Sequence, residues 1–198
     1  MDLFAPADAL TPLPLDDGAL AMLPQLPLAL DNEQVMARLM DETDWRAESI
    51  TLWGKSFLQP RLTAWHGDAR YTYSGLTLDP QPWTPLLSAI RAAVEQATGR
   101  HFNSVLLNYY RNERDSMGMH SDDEAELGPA PAIASVSFGA TRTFILRHKG
   151  SGRTVKLDLP AGSLLLMAGA TQAHWTHGIN KQSRPCGPRI NLTFRFIA

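Results

Sequence analysis

From Asn103 onward the chain is a succession of short runs with strand character, broken by Gly and Pro. Runs at 104–110, 132–138, 142–148, 153–159, 163–168 and 189–197 are rich in Val, Ile, Leu, Phe and Thr, which suit a pleated, half-buried surface. Turns are expected at Lys149–Gly152 and Pro160–Gly162. Strands this short, joined by turns, argue for an antiparallel sandwich or barrel. Three weaker strands, 48–53, 61–66 and 70–78, precede them.

Two helices flank this β-rich region. Asp31 has the place of an N-cap, Gln34 completes a capping-box spacing, and Met36, Leu39 and Met40 share one face, so a helix is expected to end near Thr43. Thr84 can cap a second helix, with Pro85 in its first turn, Leu87, Ile90, Val94 and Ala97 along one side, and Gly99 beyond its end. Both apolar stripes read as core. Residues 1–30 carry Pro6, Pro12, Pro14, Pro24 and Pro27 without a clean period. They read as an extended arm wrapped on a single domain over 31–198.

Composition narrows the function classes. A net charge of −2 excludes a protein that coats nucleic acid by bulk charge, but leaves room for a local basic rim. The one cysteine, Cys186, cannot form an internal disulfide, and multi-cysteine zinc sites are excluded. No stretch approaches the roughly 18 consecutive apolar residues of a membrane span. Leu20–Leu30 is interrupted by Pro24 and Pro27 and lacks a basic lead, so it does not read as a signal peptide. A cytoplasmic, reducing location, no membrane association and a monomer are the expectations.

The last strand carries the first functional signal. Side chains alternate along a strand, so Ile190, Leu192, Phe194 and Phe196 form one face and Arg189, Asn191, Thr193 and Arg195 the other. The polar face suits an edge strand in water. It also suits a dianionic ligand held at both ends, because guanidinium forks match carboxylates. In 104–110, Asn108 and Tyr110 likewise share a face opposite Leu107 and Tyr109. Upstream, His120-Ser121-Asp122 sets an imidazole and a carboxylate two residues apart. With a distant histidine this makes a facial group of two His and one carboxylate, the donor set of a non-haem Fe(II) site with three open positions. Alone, the motif also suits a solvated histidine beside the acidic run Asp122, Asp123 and Glu124.

The order changes that balance. His177 follows His120 after 57 residues, and Arg189 and Arg195 stand 12 and 18 residues beyond His177. This arrangement resembles the Fe(II)/2-oxoglutarate dioxygenases, and the segments NSVLLNYY (103–110), HSDDE (120–124), IASVSFGATRTF (133–144), HWTHG (174–178) and PRINLTFR (188–195) resemble the AlkB family of nucleic-acid demethylases. PRLTAW (60–65) and YTYSGL (71–76) extend the similarity to roughly 50–197, nearest to the mammalian-type nuclear homologues.

The resemblance implies a mainly β fold with flanking helices, built on a double-stranded β-helix (jelly-roll) core over about 100–198, with a nucleotide-recognition region over about 45–82. It implies His120, Asp122 and His177 as Fe(II) ligands, with His174 in the pocket wall or in a structural role. By the same matching Arg189, helped by Tyr110, holds the distal carboxylate of 2-oxoglutarate, and Arg195 and Asn108 hold the end that chelates the metal. The implied cofactors are Fe(II), 2-oxoglutarate and O2. The implied reaction removes N-methyl groups from 1-methyladenine and 3-methylcytosine, releasing formaldehyde, succinate and CO2.

The implied partner is alkylated DNA, single- or double-stranded; nothing in the sequence separates DNA from RNA. A flipped base is commonly held between flat side chains. Tyr71 and Tyr73 match the family's base-contacting aromatics, Glu124 an acidic position able to contact an exocyclic amine, and Trp53 a wedge on a duplex-probing hairpin. Arg147, Lys149 and Arg153 in one loop, with Lys181 and Arg184, supply positive charge for phosphates. The competing readings are a dioxygenase acting on protein side chains or RNA, a non-catalytic lesion-binding module, and a structural or sugar-binding jelly roll.

Overall fold

Both helices form where their caps direct them. In the computed structural model α1 spans Asn32–Glu42 and α2 spans Pro85–Thr98. The Asp31 carboxylate accepts the Gln34 N–H at 2.8 Å while the Gln34 side chain accepts the Asp31 N–H at 3.2 Å, a reciprocal capping box. Thr84 Oγ1 accepts the Leu87 N–H, and Gly99, at φ 64°, ends α2 in the left-handed conformation that spares a glycine any Cβ clash. The structure describes residues 9–52, 55–68, 71–73 and 76–198, with side chains described outside 50–56 and 71–78.

β1 (Thr11–Leu13) and β2 (Ala19–Leu23) precede α1. Between the helices lie β3 (Ser49–Leu52), β4 (Lys55–Leu58), β5 (Leu62–Gly67), β6 (Tyr71–Tyr73) and β7 (Leu76–Leu78). After α2 come β8 (Ser104–Tyr110), β9 (Met117–His120), β10 (Ile133–Gly139), β11 (Arg142–His148) and β12 (Thr154–Leu159). β13 (Leu164–Ala168), the single-turn α3 (Thr171–His174), β14 (Trp175–Ile179) and β15 (Arg189–Arg195) complete the chain.

Seven strands form one sheet in the order β1-β2-β13-β10-β15-β8-β5, and four form a second in the order β12-β11-β14-β9. β3 with β4 and β6 with β7 make two separate hairpins. The large sheet is a middle layer. Its Val105, Leu107, Val136, Ile190, Leu192 and Phe194 pack against Leu39 of α1 and Leu87, Ile90 and Val94 of α2. Its other face supplies Leu106, Ile133, Leu165 and Met167, which pack against Phe144, Leu146, Trp175 and Ile179 of the small sheet. Two facing antiparallel sheets with helices on the outer side of one are the mainly β jelly-roll expected from the sequence. Among the described residues no helix is long and apolar enough to cross a membrane.

Three expectations need correction. The described part of the 1–30 arm, residues 9–30, is more than an arm: β1 and β2 form a hairpin, and β2 pairs with β13 from Leu164↔Leu23 to Ala168↔Ala19. Five prolines hide this hairpin because β1 sits at the sheet's edge, where Pro12 is tolerated. The run 70–78 is a hairpin, β6 and β7, rather than one strand. Phe196 lies beyond the end of β15 and is exposed, so the apolar face of that strand stops at Phe194. The alternative of an edge strand for β15 is excluded, as the resemblance implied: it lies between β10 and β8, and all seven of its residues are buried.

Candidate active site

β15 is buried on both faces, so its polar side chains must find partners inside the protein. Its helix-facing residues join the core, while Arg189, Asn191, Thr193 and Arg195 turn between the sheets. β8 runs beside it in register, Asn191 opposite Asn108 and Arg189 opposite Tyr110, so these four line one wall of a single cavity. β14 and β9 form the opposite wall. His177 on β14 pairs directly with His120 at the end of β9, with ring centroids 4.4 Å apart. Gly178 makes this approach possible: a Cβ there would stand 2.8 Å from the Met117 carbonyl oxygen.

The chain leaves β9 at His120 and folds Asp122 inward, fully buried. The Asp122 N–H donates to Gln172 Oε1 at 2.9 Å. His120, Asp122 and His177 each offer one ligand atom, all within 4.8 Å of one another. The Asp122 carboxylate is divided between two neighbours. Oδ1 accepts from Arg195 Nη2 at 2.6 Å, whereas Oδ2 lies 3.5 Å from His177 Nε2 and has no hydrogen-bond partner among the described residues. His120 Nδ1 lies 2.9 Å from the Gly118 carbonyl, which places the proton on Nδ1 and makes Nε2 the ligating atom.

Burial alone would raise the Asp122 carboxyl, but Arg195, His177 and His120 outweigh it and hold the group below the usual carboxylate range. Burial, and after it the nearby His120, push the His177 imidazole down to about 3. The carboxylate and the neutral imidazole are the forms that bind a metal. Two imidazoles and one carboxylate suit Fe(II), and the partnerless Asp122 Oδ2 is the atom that a cation would satisfy.

Arg189 is the second unsatisfied centre. It is 1% exposed, its guanidinium lies 5.2 Å from the Tyr110 ring, and Nη2 donates to Ser137 Oγ at 2.9 Å. Nε and Nη1 have no partner among the described residues. Burial lowers its pKa, with Tyr110 opposing. Two buried donors left open on one guanidinium suit a carboxylate, the anion whose planar oxygens arginine N–H groups commonly bind. The cavity therefore fits both a metal and a carboxylic acid.

A second group, Asp17, His148 and His174, also brings three possible ligand atoms within 4.8 Å. It is a poor metal site. The Ser151 N–H donates to His148 Nδ1 at 2.9 Å, so a neutral His148 carries its proton on Nε2, the atom that faces Asp17 at 3.3 Å. His174 is exposed at the end of α3, stacks on His148 with centroids 6.0 Å apart, and does not line the cavity.

Thus His120, Asp122, His177, Asn108, Tyr110, Arg189 and Arg195, predicted from separate segments, line one cavity. Other predicted residues lie elsewhere. Glu124 precedes a 3-10 turn (Ala125–Leu127) and does not line the cavity; its Oε2 is buried without a partner among the described residues. Arg147 and Lys181 are exposed, while Lys149 Nζ donates at 2.9 Å to the carbonyl of Gln172, whose side chain accepts the Asp122 N–H. Tyr71 and Tyr73 begin and end β6, but their side chains lie outside the described residues, as does the whole of Trp53.

Sequence reasoning missed several supporting groups. Arg61, 4% exposed, donates from Nε to Asn108 Oδ1 at 2.7 Å. Arg142, 1% exposed, donates to the carbonyls of Asn112, Asp115 and Asn180, tying the β8–β9 loop to the segment after β14. Asn191 donates to Ser135 Oγ and the Val136 carbonyl. Each partner is far away in the chain, and only the shared polar face of β15 hinted at Asn191.

Comparison with known proteins agrees with this geometry. The family described as the 2OG-Fe(II) oxygenase superfamily matches residues 20–195. The chain is 44% identical over 173 residues to the alpha-ketoglutarate-dependent dioxygenase alkB homolog 3 of Homo sapiens, covering 82% of this chain and 60% of that protein. It is 48% identical over 158 residues to the DNA oxidative demethylase ALKBH2 of Mus musculus, covering 75% of this chain and 66% of that protein. It therefore spans about 60% of the length of the first of these relatives. A solved structure of OsALKBH1 superposes with a TM-score of 0.66 at 16% identity, covering 93% of this chain and 99% of that one, which supports the fold. By these matches the chain belongs to the 2OG-Fe(II) oxygenase superfamily and, within it, to the AlkB family.

Proposed function

We propose that this protein is an Fe(II)- and 2-oxoglutarate-dependent dioxygenase that removes N-methyl groups from 1-methyladenine and 3-methylcytosine in nucleic acid, releasing formaldehyde, succinate and CO2. One observation carries the reading. A single cavity brings a His-Asp-His group with an open carboxylate oxygen together with a buried arginine that has two open donors. The names of the relatives, an alpha-ketoglutarate-dependent dioxygenase and a DNA oxidative demethylase, support the cosubstrate and the substrate class.

In this reading His120, Asp122 and His177 hold Fe(II). Arg189, steadied by Ser137 and Tyr110, takes the distal carboxylate of 2-oxoglutarate. Asn108, held by Arg61, and Arg195 face the metal end. Arg195 keeps Asp122 ionised and in place. The bound iron, with 2-oxoglutarate and O2, supplies the oxidising power for hydroxylation of the N-methyl carbon, after which formaldehyde leaves. The protein supplies position and dryness: Phe144, stacked on the His177 ring at 5.2 Å, helps shut water from the ligands.

Tyr71, Tyr73 and Glu124 would receive the flipped base, Trp53 would probe a duplex, and Arg147, Lys149 and Lys181 would steady phosphates. A cytoplasmic monomer is part of the same proposal. Replacing Trp53 with Ala should then lower turnover on duplex more than on single strands; an equal effect on both would remove Trp53 from duplex recognition.

The direct test is mass spectrometry of an oligonucleotide with one 3-methylcytosine, incubated with protein, Fe(II), ascorbate and 2-oxoglutarate, with Asp122→Ala as control. Loss of one methylene mass that requires 2-oxoglutarate and is absent in the control is expected. Succinate formation without loss of the methyl group would mean a working iron centre with another substrate.

A further inference from the structure

The end of β11 and the loop after it present Arg147, His148, Lys149 and Arg153, and three of these four already face a carboxylate of the same chain. Arg153 donates to Asp16, His148 Nε2 lies 3.3 Å from Asp17 Oδ2, and Lys149 Nζ lies 3.5 Å from Asp123 Oδ2. Asp16 and Asp17 come from the turn between β1 and β2, more than a hundred residues away in sequence.

That turn is anchored rather than loosely laid on the surface. The Asp16 carbonyl accepts from Nε1 of Trp175, a fully buried residue of β14. Asp17 sits at φ 51°, the only positive-φ residue other than glycine among the described residues. The backbone is thus held in an uncommon conformation that presents two adjacent carboxylates to the loop. Yet the carboxylates themselves remain in water: the Asp16 and Asp17 side chains are 69% and 61% exposed. Ion pairs this exposed are weak, and another anion can displace them.

The donors facing the turn are a guanidinium and an imidazole N–H. Together they suit an anion with several oxygens rather than a cation, and a phosphate diester supplies such oxygens. We propose that the Asp16–Asp17 turn occupies the phosphate positions of this loop, so that the N-terminal hairpin sets how tightly the protein holds a nucleic-acid backbone. The proposal rests on the nucleic-acid reading above and adds an intramolecular competitor to it. A backbone phosphate must first push Asp16 off Arg153, so the turn weakens non-specific binding while the lesion pocket is untouched.

The test is fluorescence anisotropy of a short fluorescein-labelled DNA, as duplex and as single strand, titrated with the full chain over a series of salt concentrations. The double variant Asp16→Asn/Asp17→Asn keeps a residue that tolerates the left-handed conformation at position 17. It should bind more tightly, with a log K against log salt slope steeper by about 0.9 on duplex and about 0.7 on single strand, one phosphate contact for the freed Arg153. Adding Arg153→Gln to the double variant should return the slope to the wild-type value.

A control with the same charge change on α1, Glu33→Gln/Asp41→Asn, lies across the large sheet from the loop and should leave the slope unaltered. Thermal melts establish that each variant is folded; if the double variant is not, Asp16→Asn alone carries the test. An unchanged slope in the Asp16/Asp17 variant, or equal steepening in the α1 control, would overturn the proposal. Failure of the wild type and every variant to bind DNA at the lowest salt would instead sink the nucleic-acid reading, and this proposal with it.

Discussion

Replacing Arg195 with Met tests the electrostatic centre of the site. Asp122 and Arg195 are 1% and 3% exposed and 2.6 Å apart. Met approximates the arginine stem but leaves a buried carboxylate without its cation. Removing one partner of a buried pair costs about 3–5 kcal/mol, far more than the pair contributes relative to apolar packing. For a domain of this size each kcal/mol lowers the melting temperature by about 2–4 °C, so the metal-free variant should melt on the order of 10 °C below wild type at neutral pH. Two further signatures follow from the cause. Without Arg195 burial raises the Asp122 carboxyl, so the folded variant takes up a proton above the ordinary carboxylate range and the deficit should narrow as the pH falls toward about 4. A divalent cation on the triad would replace the missing positive charge, so Mn(II) should raise the variant's melting temperature more than the wild type's. Calorimetry of chelator-treated and Mn(II)-loaded protein reads both. A metal-free variant within about 1 kcal/mol of wild type would refute the reasoning, because the Asp122 carboxylate would then have another counter-charge.

Three other outcomes are expected. His177→Ala should abolish Mn(II) binding measured by titration calorimetry, whereas His174→Ala, altered outside the cavity, should largely retain it; equal loss at both would reassign the distal ligand. Gly178→Ala should destabilise the protein by about 1–3 kcal/mol, since its Cβ would meet the Met117 carbonyl and push β9 from β14. It should weaken metal binding as well, and a neutral effect on both would mean that the two strands can part without separating His120 from His177. His66 is buried, with Nδ1 2.8 Å from the Pro82 carbonyl; burial lowers its pKa and that hydrogen bond only partly opposes it. Its neutral form is the folded form, so its contribution to stability is complete above about pH 6.5 and is lost as the pH falls below that value. The difference in urea stability between wild type and His66→Phe should therefore shrink from pH 7.5 to pH 5.5, and a constant difference would show that His66 does not titrate.

The two helices and their caps were legible in the sequence, because a cap and its helix lie within four residues of each other. So were β8 and β11, whose bounds agree with the apolar runs. The strands that carry the two histidines were not. Met117–His120 and Trp175–Ile179 are short, contain Gly118 and Gly178, and turn polar groups to a cavity, so neither shows an apolar run. The β1–β2 hairpin was hidden by its prolines and by the distance to β13, its only support in the large sheet.

The site divides in the same way. The sequence by itself determined which chemical groups are present and which face of β15 each one takes, because period-two alternation is local. The order His-x-Asp, distant His, then two arginines pointed to the family. Tertiary structure alone decided that Arg195 spends its charge on Asp122, that Arg61 steadies Asn108, that Arg142 binds three loop carbonyls, and that Asp16 and Asp17 cover a basic loop. Those contacts join residues from about 27 to nearly 140 positions apart. Local pattern carries no information about them, because each exists only once the packing of the two sheets has brought distant segments together, and for the buried ones has removed the water that would otherwise have satisfied the same groups.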